Sequence, residues 1–245
     1  MKIYRDIDTL ATSRATAVTV GSFDGVHAGH GVLLSRLRDM ARAIDAESVV
    51  VTFEPHPRIA MGRAAGMGLL TTVEERAYLL AQHGVDNLVV VHFDEAFRQQ
   101  SYEEFVRNTL VARLGMRGMV VGYNHRLGRD SAGGYDALRP LGEECGFRVE
   151  RVEQYLDTGD KVSSTVIRNL IATGDMSRAR EMLGHPYIII GKAHDGRVAA
   201  IEQHKLLPAA GRYRAMVNDE ERSVEVAGRE LLLDGSVSGD VVIAF

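Results

Sequence analysis

The chain has 245 residues, of which 45% are hydrophobic and 25% charged, with a net charge of −4 and a pI of about 6.1. This composition is typical of a globular protein with one large and one small domain, and it excludes the basic field that favours a nucleic-acid partner. The single cysteine, Cys145, excludes an intramolecular disulfide and a multi-cysteine zinc cage. The sequence contains neither an apolar run approaching the ~20 residues of a membrane span nor an apolar signal-peptide region. We therefore expect a cytoplasmic protein with no membrane partner and do not predict its oligomeric state.

The first predicted strand, residues 16–20, leads through a glycine-rich turn into a predicted helix. Three glycines spaced four residues apart allow the backbone to approach a ligand, and the N–H groups of a helix start attract anions. His27 and His30 lie at this helix start, where each ring can donate a hydrogen bond to a phosphate oxygen. A lone histidine here would be a cap or a spacer, whereas the pair predicts a phosphate site.

Apolar strands and amphipathic helices alternate along the next 120 residues or so. The predicted strands are 49–53, 88–93, 119–121 and 147–152, and the predicted helices are 72–84, 101–115 and 134–145. This alternation predicts parallel βαβ units in a doubly wound sheet, which binds ligands at the carboxyl ends of its strands. The segments at those ends are 21–30, 54–58, 94–101 and 122–134.

A second hydroxyl-rich helix start lies at residues 163–173. Ser163, Ser164 and Thr165 stand at its beginning and Arg168 follows one turn in. The simpler interpretation is an N-cap with a surface arginine. The functional interpretation is a second phosphate clamp, made of hydroxyls, helix N–H groups and a guanidinium.

The pattern changes after Gly184-His185-Pro186. Short apolar segments separated by turn signals follow, at 187–190, 213–217, 223–227, 230–233 and 241–245. We predict an α/β domain over residues 1–185 and a small all-β domain over residues 186–245. Because the core of the second domain is small, we expect its stability to depend on the first domain.

The segment Gly21-Ser22-Phe23-Asp24-Gly25-Val26-His27-Ala28-Gly29-His30 closely resembles the signature of the HxGH nucleotidylyltransferases, in the version found in bacterial FAD synthetases. Residues 52–58, 70–76, 121–128 and 163–168 resemble segments of the same family, so the resemblance extends from residue 15 to about residue 192. It implies a Rossmann-like fold and an FMN adenylyltransferase that transfers AMP from ATP to FMN, giving FAD and pyrophosphate. Mg²⁺ would be held mostly by substrate oxygens and water, so we predict no protein metal ligands.

The resemblance also implies which residues form the site. The catalytic residues would be His27, His30 and Arg168. The ATP-binding residues would be Gly21, Ser22, Phe23, Asp24, Gly25, His27, Gly29, His30, Ser163, Ser164, Thr165 and Arg168. The flavin-binding residues would be Phe53, Pro55, His56, Pro57, Arg58, Asn124 and Arg126.

The sequence departs from the family in three places. Ser22 replaces a usual asparagine, and His125 and Leu127 stand where aromatic residues are usual. The C-terminal part lacks the Pro-Thr-Ala-Asn segment of the riboflavin kinase barrel and is shorter by roughly half, so we predict no kinase activity. Two alternatives stay open: a nucleotidylyltransferase for another phosphate acceptor, and a non-catalytic regulator that senses FMN or ATP.

Overall fold

The computed structural model describes residues 1–9, 14–62, 66–157 and 160–245, which form two compact units. Unit 1 comprises Met1–Phe23, Gly29–Ala65 and Leu79–Tyr155, and unit 2 comprises Asp24–Ala28, Gly66–Tyr78 and Leu156–Phe245. The chain therefore leaves unit 1 and returns to it within the predicted phosphate turn. The predicted domain boundary at residue 185 stays a prediction.

Helices and strands alternate through the first three quarters of the chain, and strands dominate the rest. The strands are β1 Lys2–Tyr4, β2 Thr16–Val20, β3 Glu47–Glu54, β4 Asn87–His92, β5 Met116–Gly122, β6 Arg148–Val152, β7 Leu156–Asp157, β8 Asp160–Lys161, β9 Ile188–Ala193, β10 Arg197–Val198, β11 Gly211–Val217, β12 Glu220–Ala227, β13 Glu230–Leu233 and β14 Gly239–Ala244. The α-helices are α1 Ala28–Ala43, α2 Pro57–Ala60, α3 Val73–Gln82, α4 Glu95–Arg98, α5 Tyr102–Glu104, α6 Tyr135–Cys145, α7 Ser164–Thr173 and α8 Met176–Leu183. A 3₁₀ helix spans Ile7–Thr9 and a π-helix spans Phe105–Val111.

The sheet of unit 1 has six parallel strands in the order β1-β4-β3-β2-β5-β6, which confirms the predicted doubly wound sheet. All five residues of β2 are buried, as expected of a strand covered on both faces. β2 pairs with β3 on one side and with β5 on the other. The strand order reverses there, and the crevice beyond the carboxyl ends of β2 and β5 is where such folds bind ligands.

The helix predicted at residues 101–115 has a different form. Ser101 and Glu104 make the expected capping box, with N–H···O distances of 2.8 and 3.2 Å, but only three residues of α-helix follow. The chain then continues as the π-helix, whose wider turn brings residues five apart to one side. Phe105 and Leu110 are both buried at this spacing, which explains why an apolar pattern alone did not distinguish the two helix types.

Unit 2 contains a barrel-like antiparallel sheet in the order β10-β13-β12-β11-β14-β9, which confirms the predicted all-β C-terminal part. Helices α7 and α8 share its core: Ile167, Ile171 and Leu183 belong to the same buried cluster as Ile189 and Ile243. The two-residue strand β10 and the edge strand β1 of unit 1 were not predicted, because segments this short carry no alternating pattern.

Candidate active site

The segment around the predicted phosphate turn forms a strand, a turn and the start of a helix, as expected. Its first residue, Gly21, still donates its N–H to the Val51 carbonyl at 3.0 Å, and α1 begins seven residues later at Ala28. His30 therefore lies in the first helical turn, where helix N–H groups lack intrahelical acceptors. The ring of Phe23 packs against the His30 ring with centroids 4.9 Å apart, which orients that imidazole.

Two non-glycine residues of this turn have left-handed backbone conformations. Phe23 has a φ of 48° and Val26 a φ of 41°. A positive φ is rare for such side chains, above all for a β-branched one, and costs on the order of 1–3 kcal/mol at each position. Both side chains are buried, so packing holds the strained turn in place.

A buried carboxylate in unit 2 organises the second half of the turn. Asp24, only 1% exposed, accepts hydrogen bonds at Oδ1 from the N–H and hydroxyl of Thr71, at 3.0 and 3.3 Å. Its Oδ2 accepts a 2.5 Å hydrogen bond from Nη2 of Arg168, whose Nε donates to the Gly68 carbonyl at 2.9 Å. These bonds use two of the five guanidinium N–H groups.

The hydroxyls at the start of α7 have different surroundings. Ser163 is the N-cap and its Oγ accepts from the Val166 N–H at 3.5 Å. Ser164 donates its hydroxyl to the Asp24 carbonyl at 2.9 Å, so this side chain joins the helix start to the phosphate turn. Thr165 is exposed. Ser163 is therefore the N-cap of the helix that carries Arg168, and the phosphate clamp stays a prediction.

His27 is buried beside this carboxylate, and His185, also in unit 2, is half-buried. Burial lowers the pKa of His27 to about 4, although the Asp24 carboxylate opposes the shift. His27 is thus neutral near pH 7 and acts as a hydrogen-bond group rather than as a cation. His185 has its two ring nitrogens 2.7 Å from the Pro186 carbonyl and 3.0 Å from the Gly25 carbonyl. Burial lowers the pKa of His185, while its hydrogen bonds to the Pro186 and Gly25 carbonyls oppose the shift.

Gly25 is the glycine that this turn requires. Its φ is +85°, and a Cβ added there would lie 2.7 Å from the Leu70 Cδ1 atom. Its N–H donates to the Thr71 hydroxyl at 3.0 Å. Thr71 therefore holds both Asp24 and Gly25, a role that could have been suspected from its place in the segment 70–76 that resembles the family.

Unit 1 contains a cavity of about 500 Å³ at the carboxyl ends of its strands. Four phenylalanines form its apolar wall; Phe97 lies 5.4 Å from Phe53, 5.6 Å from Phe93 and 5.1 Å from Phe105 between ring centroids. The lining residues are Phe53, Pro57, Met61, Phe93, Phe97, Arg98, Gln99, Gln100, Phe105, Arg126, Leu127, Gly128, Arg129 and Ser131. Aromatic walls with arginines at the edge suit a planar, anionic ligand.

The structure brings some of the predicted flavin residues to this cavity and not others. Phe53, Pro57 and Arg126 line it, as does Leu127, one of the two departures from the family pattern. Among the described residues the lining does not include Pro55, His56, Arg58 or Asn124. His56 instead caps α2 by accepting the Arg58 N–H at Nδ1, 3.2 Å away.

Phe93, Phe97 and Phe105 line the cavity and were not predicted from the sequence. Phe93 directly follows β4 and Phe97 lies one helical turn further, so aromatic residues after a buried strand were the available signal.

His125, on the same loop as Arg126, has a buried Nε2 without a hydrogen-bond partner among the described residues. Burial and the neighbouring Arg126 charge lower the pKa of His125 to about 4, so this ring is neutral near pH 7.

The described side chains contain no group of three or more His, Cys, Asp or Glu that could hold a metal ion. The carboxylate of Asp24 accepts hydrogen bonds from Thr71 and Arg168. None of the described helices has the length and apolar character that a bilayer crossing requires. The cytoplasmic location stays a prediction.

Comparisons with known proteins identify the family of the chain. The FAD synthetase family model matches residues 9–166. The chain is 32% identical over 198 residues to the bifunctional riboflavin kinase/FMN adenylyltransferase of Escherichia coli K12, covering 80% of this chain and 63% of that protein. It is 33% identical over 222 residues to the FAD synthetase of Listeria monocytogenes, covering 87% and 88% of the two chains.

A solved structure has the same fold over nearly the whole chain. It is the crystal structure of a macrolide-efflux protein from Streptococcus pneumoniae, with a TM-score of 0.83 and 22% identity, covering 99% of this chain and 88% of that one. The match to the E. coli protein spans less than two thirds of that relative's length. The matched family model and the relatives above 30% identity establish that the chain belongs to the FAD synthetase family.

Proposed function

We propose that the protein is an FMN adenylyltransferase that forms FAD and pyrophosphate from FMN and ATP and has no riboflavin kinase activity. The aromatic cavity of unit 1 is the observation that carries the choice of acceptor. A planar ring system can stack on the phenylalanine wall, and a volume of about 500 Å³ falls in the range of small-molecule sites.

The arginines of this cavity support FMN over riboflavin. Arg98, Arg126 and Arg129 line it, and FMN differs from riboflavin by a phosphate that carries negative charge. Each guanidinium can donate paired hydrogen bonds to phosphate oxygens. An uncharged flavin would leave these groups without that interaction, so the cavity should bind FMN more tightly.

The reaction needs positioning and charge stabilisation rather than a covalent intermediate. An oxygen of the FMN phosphate attacks the α-phosphorus of ATP, the new P–O bond forms, and the bond to the β-phosphate oxygen breaks as pyrophosphate leaves. The FMN phosphate is already ionised near pH 7, so no base has to remove a proton. The protein's part is to align the two phosphates and to stabilise the charge that develops on the transferring group.

The phosphate turn and the start of α7 supply the groups for that task. His30, in the first turn of α1, and the neutral His27 donate hydrogen bonds to the ATP phosphates. Arg168, held in place by Asp24 and Gly68, turns its remaining N–H groups towards the departing pyrophosphate. The N–H groups at the starts of α1 and α7 add partial positive charge.

Magnesium would be bound together with the nucleotide. Because the described residues offer no cluster of three metal ligands, the ion would be held by phosphate oxygens and water, the mode that Mg²⁺ favours at nucleotide sites. The substrate is therefore MgATP.

The absence of kinase activity is inferred from the C-terminal part. The sequence has no Pro-Thr-Ala-Asn segment, which the family resemblance implies for a riboflavin kinase barrel. The relative that is matched over 88% of its length is named for FAD synthesis alone.

The test is a paired assay on the full chain. One reaction contains FMN and MgATP, the other riboflavin and MgATP, and both are followed by chromatography of the flavins and by pyrophosphate and ADP release. We expect equal amounts of FAD and pyrophosphate from FMN, and neither FMN nor ADP from riboflavin. FMN formed from riboflavin would overturn the kinase part of the proposal, and binding of FMN and ATP without pyrophosphate would overturn the transferase part.

A further inference from the structure

A fully buried lysine lies in unit 2, outside the groups assigned to the reaction. Lys205 is 1% exposed, and its Nζ donates to the Glu75 Oε2 atom at 2.7 Å and to the carbonyls of Leu70 and Ile188 at 2.6 and 2.8 Å. The ammonium lies 4.2 Å from the centroid of the Tyr187 ring. All three N–H donors of the lysine are thus used, and the aromatic face adds a cation–π contact.

Glu75 is equally enclosed and equally occupied. Its Oε2 accepts from the Thr72 N–H at 2.8 Å, and its Oε1 accepts from the Ile190 N–H of β9 at 3.0 Å. The Thr72 hydroxyl accepts in turn from the Glu75 N–H at 3.2 Å, which completes the capping box of α3. The ion pair therefore ties the start of α3 to the β-sheet of unit 2.

The segment held by this ion pair is the one that holds the phosphate clamp. Lys205 contacts Leu70 on one side of Thr71, and Glu75 contacts Thr72 on the other. Thr71 itself binds Asp24 and Gly25. Two residues earlier than Leu70, the Gly68 carbonyl accepts from Arg168. Backbone bonds of Leu69 to His204 and Leu206, at 2.6 and 2.8 Å, add to the same attachment.

Stability alone does not account for such a pair. A buried ion pair is costly to desolvate, and apolar residues of similar volume often serve stability as well or better. Burial indeed lowers the pKa of Lys205, while the Glu75 carboxylate opposes the shift. What a fully hydrogen-bonded pair provides is a single defined position for the groups that it contacts.

We propose that Lys205 is a positioning residue for ATP: with Glu75 it fixes residues 68–75, and through Thr71 and Gly68 it sets the geometry of Asp24 and Arg168. The inference rests on the proposed function, since it takes the clamp around Arg168 to be the ATP-phosphate site. The positioning role of Lys205 also assigns a function to the C-terminal region, which contains the segment Lys205-Leu206-Leu207-Pro208.

The experiment uses three variants of the full chain. Lys205→Met removes the ammonium, and Glu75→Gln/Lys205→Met replaces the pair with neutral groups while an amide oxygen stays available to the Ile190 N–H. Leu231→Ala is the matched control, because this fully buried residue of β13 belongs to the same core but contacts neither member of the pair in any hydrogen bond. Thermal unfolding, KM for MgATP, KM for FMN and the calorimetric Kd for MgATP are measured for each.

We expect KM and Kd for MgATP to rise at least tenfold in both Lys205 variants, with KM for FMN within twofold of wild type. The double variant should recover thermal stability relative to Lys205→Met but not ATP affinity. Leu231→Ala should lose stability and keep its KM for MgATP. Unchanged ATP affinity in a folded Lys205 variant, an equal loss of ATP affinity in Leu231→Ala, or failure of both Lys205 variants to fold would overturn the proposal.

A different result would overturn the proposed function independently of the role of Lys205. A wild-type protein that binds MgATP but makes no FAD would overturn the adenylyltransferase assignment, and the comparison of Kd values would still decide the role of Lys205. A wild-type protein that does not bind MgATP would overturn both.

Discussion

The carboxylate of Asp24 and the guanidinium of Arg168 are joined by a 2.5 Å hydrogen bond, although the two residues are 144 positions apart in the chain. The side chain of Asp24 is 1% exposed and that of Arg168 is 12% exposed, so water screens this ion pair little. The aspartate of the glycine-rich turn therefore has a structural partner, and its predicted contact with ATP stays a prediction.

Replacing this aspartate should weaken ATP binding and destabilise the fold. Asp24→Asn keeps an oxygen for Thr71 but leaves Arg168 without its carboxylate. We expect KM for ATP to rise about tenfold and the free energy of unfolding to fall by about 3 kcal/mol, the lower end of the range for a broken buried pair. Arg214→Gln, which breaks an exposed ion pair with Glu221, should leave stability and KM nearly unchanged. Equal effects of the two substitutions would contradict the role given to Asp24.

Removing the His30 imidazole should slow the chemistry without affecting flavin binding. His30→Ala deletes a group placed for the transition state, and such losses reduce kcat about 10²- to 10³-fold. FMN binding, followed by quenching of flavin fluorescence, should stay within twofold because the aromatic cavity is intact. His194→Ala, at an exposed position, serves as the control. Near-normal FAD formation by His30→Ala would refute the mechanism.

Phe97 should control FMN affinity. Its ring contacts three other phenylalanines of the cavity wall, so Phe97→Ala removes both the stacking surface and the support of its neighbours. We expect KM for FMN to rise about tenfold, equivalent to roughly 1.4 kcal/mol, while KM for ATP is unchanged. Phe97→Leu should give a smaller rise. A change confined to the ATP constant would show that flavin does not bind in this cavity.

Alanine substitutions at two glycines with positive φ separate the cost of steric crowding around an added Cβ from the cost of backbone strain. Gly25 has a φ of +85° and a Cβ there would lie 2.7 Å from Leu70, whereas Gly228 has a φ of +61° and nothing within 4 Å of an added Cβ. Gly228→Ala should cost about 1 kcal/mol from the left-handed conformation alone. Gly25→Ala should cost more and also raise KM for ATP, because Leu70 precedes Thr71. Equal unfolding temperatures for the two variants would contradict the steric crowding expected between a Cβ at Gly25 and Leu70.

Acid should destabilise the protein through His27 and His125. The pKa of each is lowered from 6.5 to about 4 in the folded state, so between these values the unfolded chain binds more protons. Stability then falls as the pH drops from about 6.5 to 4, by roughly 3 kcal/mol at most for His27, and levels off below the folded pKa. His27→Gln should flatten this pH dependence, measured by urea unfolding, and the exposed His204→Gln should not. An unchanged slope in His27→Gln would contradict the shift.

The sequence was most informative where a periodic pattern and a motif coincide. The strand, turn and helix around His30 and the parallel order of β2, β3 and β4 follow from apolar runs and capping signals that act locally. The pairing of Asp24 with Arg168 and the contact of Lys205 with Glu75 could not be predicted from the residues alone, because they depend on tertiary packing between distant segments. The phenylalanine wall was not predicted although Phe93 and Phe97 follow a buried strand, because that pattern does not show that Phe53 and Phe105 pack beside them.

The composition of unit 2 limits how this chain can be shortened. Residues 24–28 and 66–78 belong to the same compact unit as the C-terminal strands, and Leu70, Ile167 and Leu183 share a buried cluster with Ile189 and Ile243. A truncation after residue 185 would expose that cluster to water and remove Lys205 along with it. The C-terminal strands are therefore needed for the fold of unit 2. An expressed fragment of residues 1–185 should aggregate and should not be an active minimal enzyme.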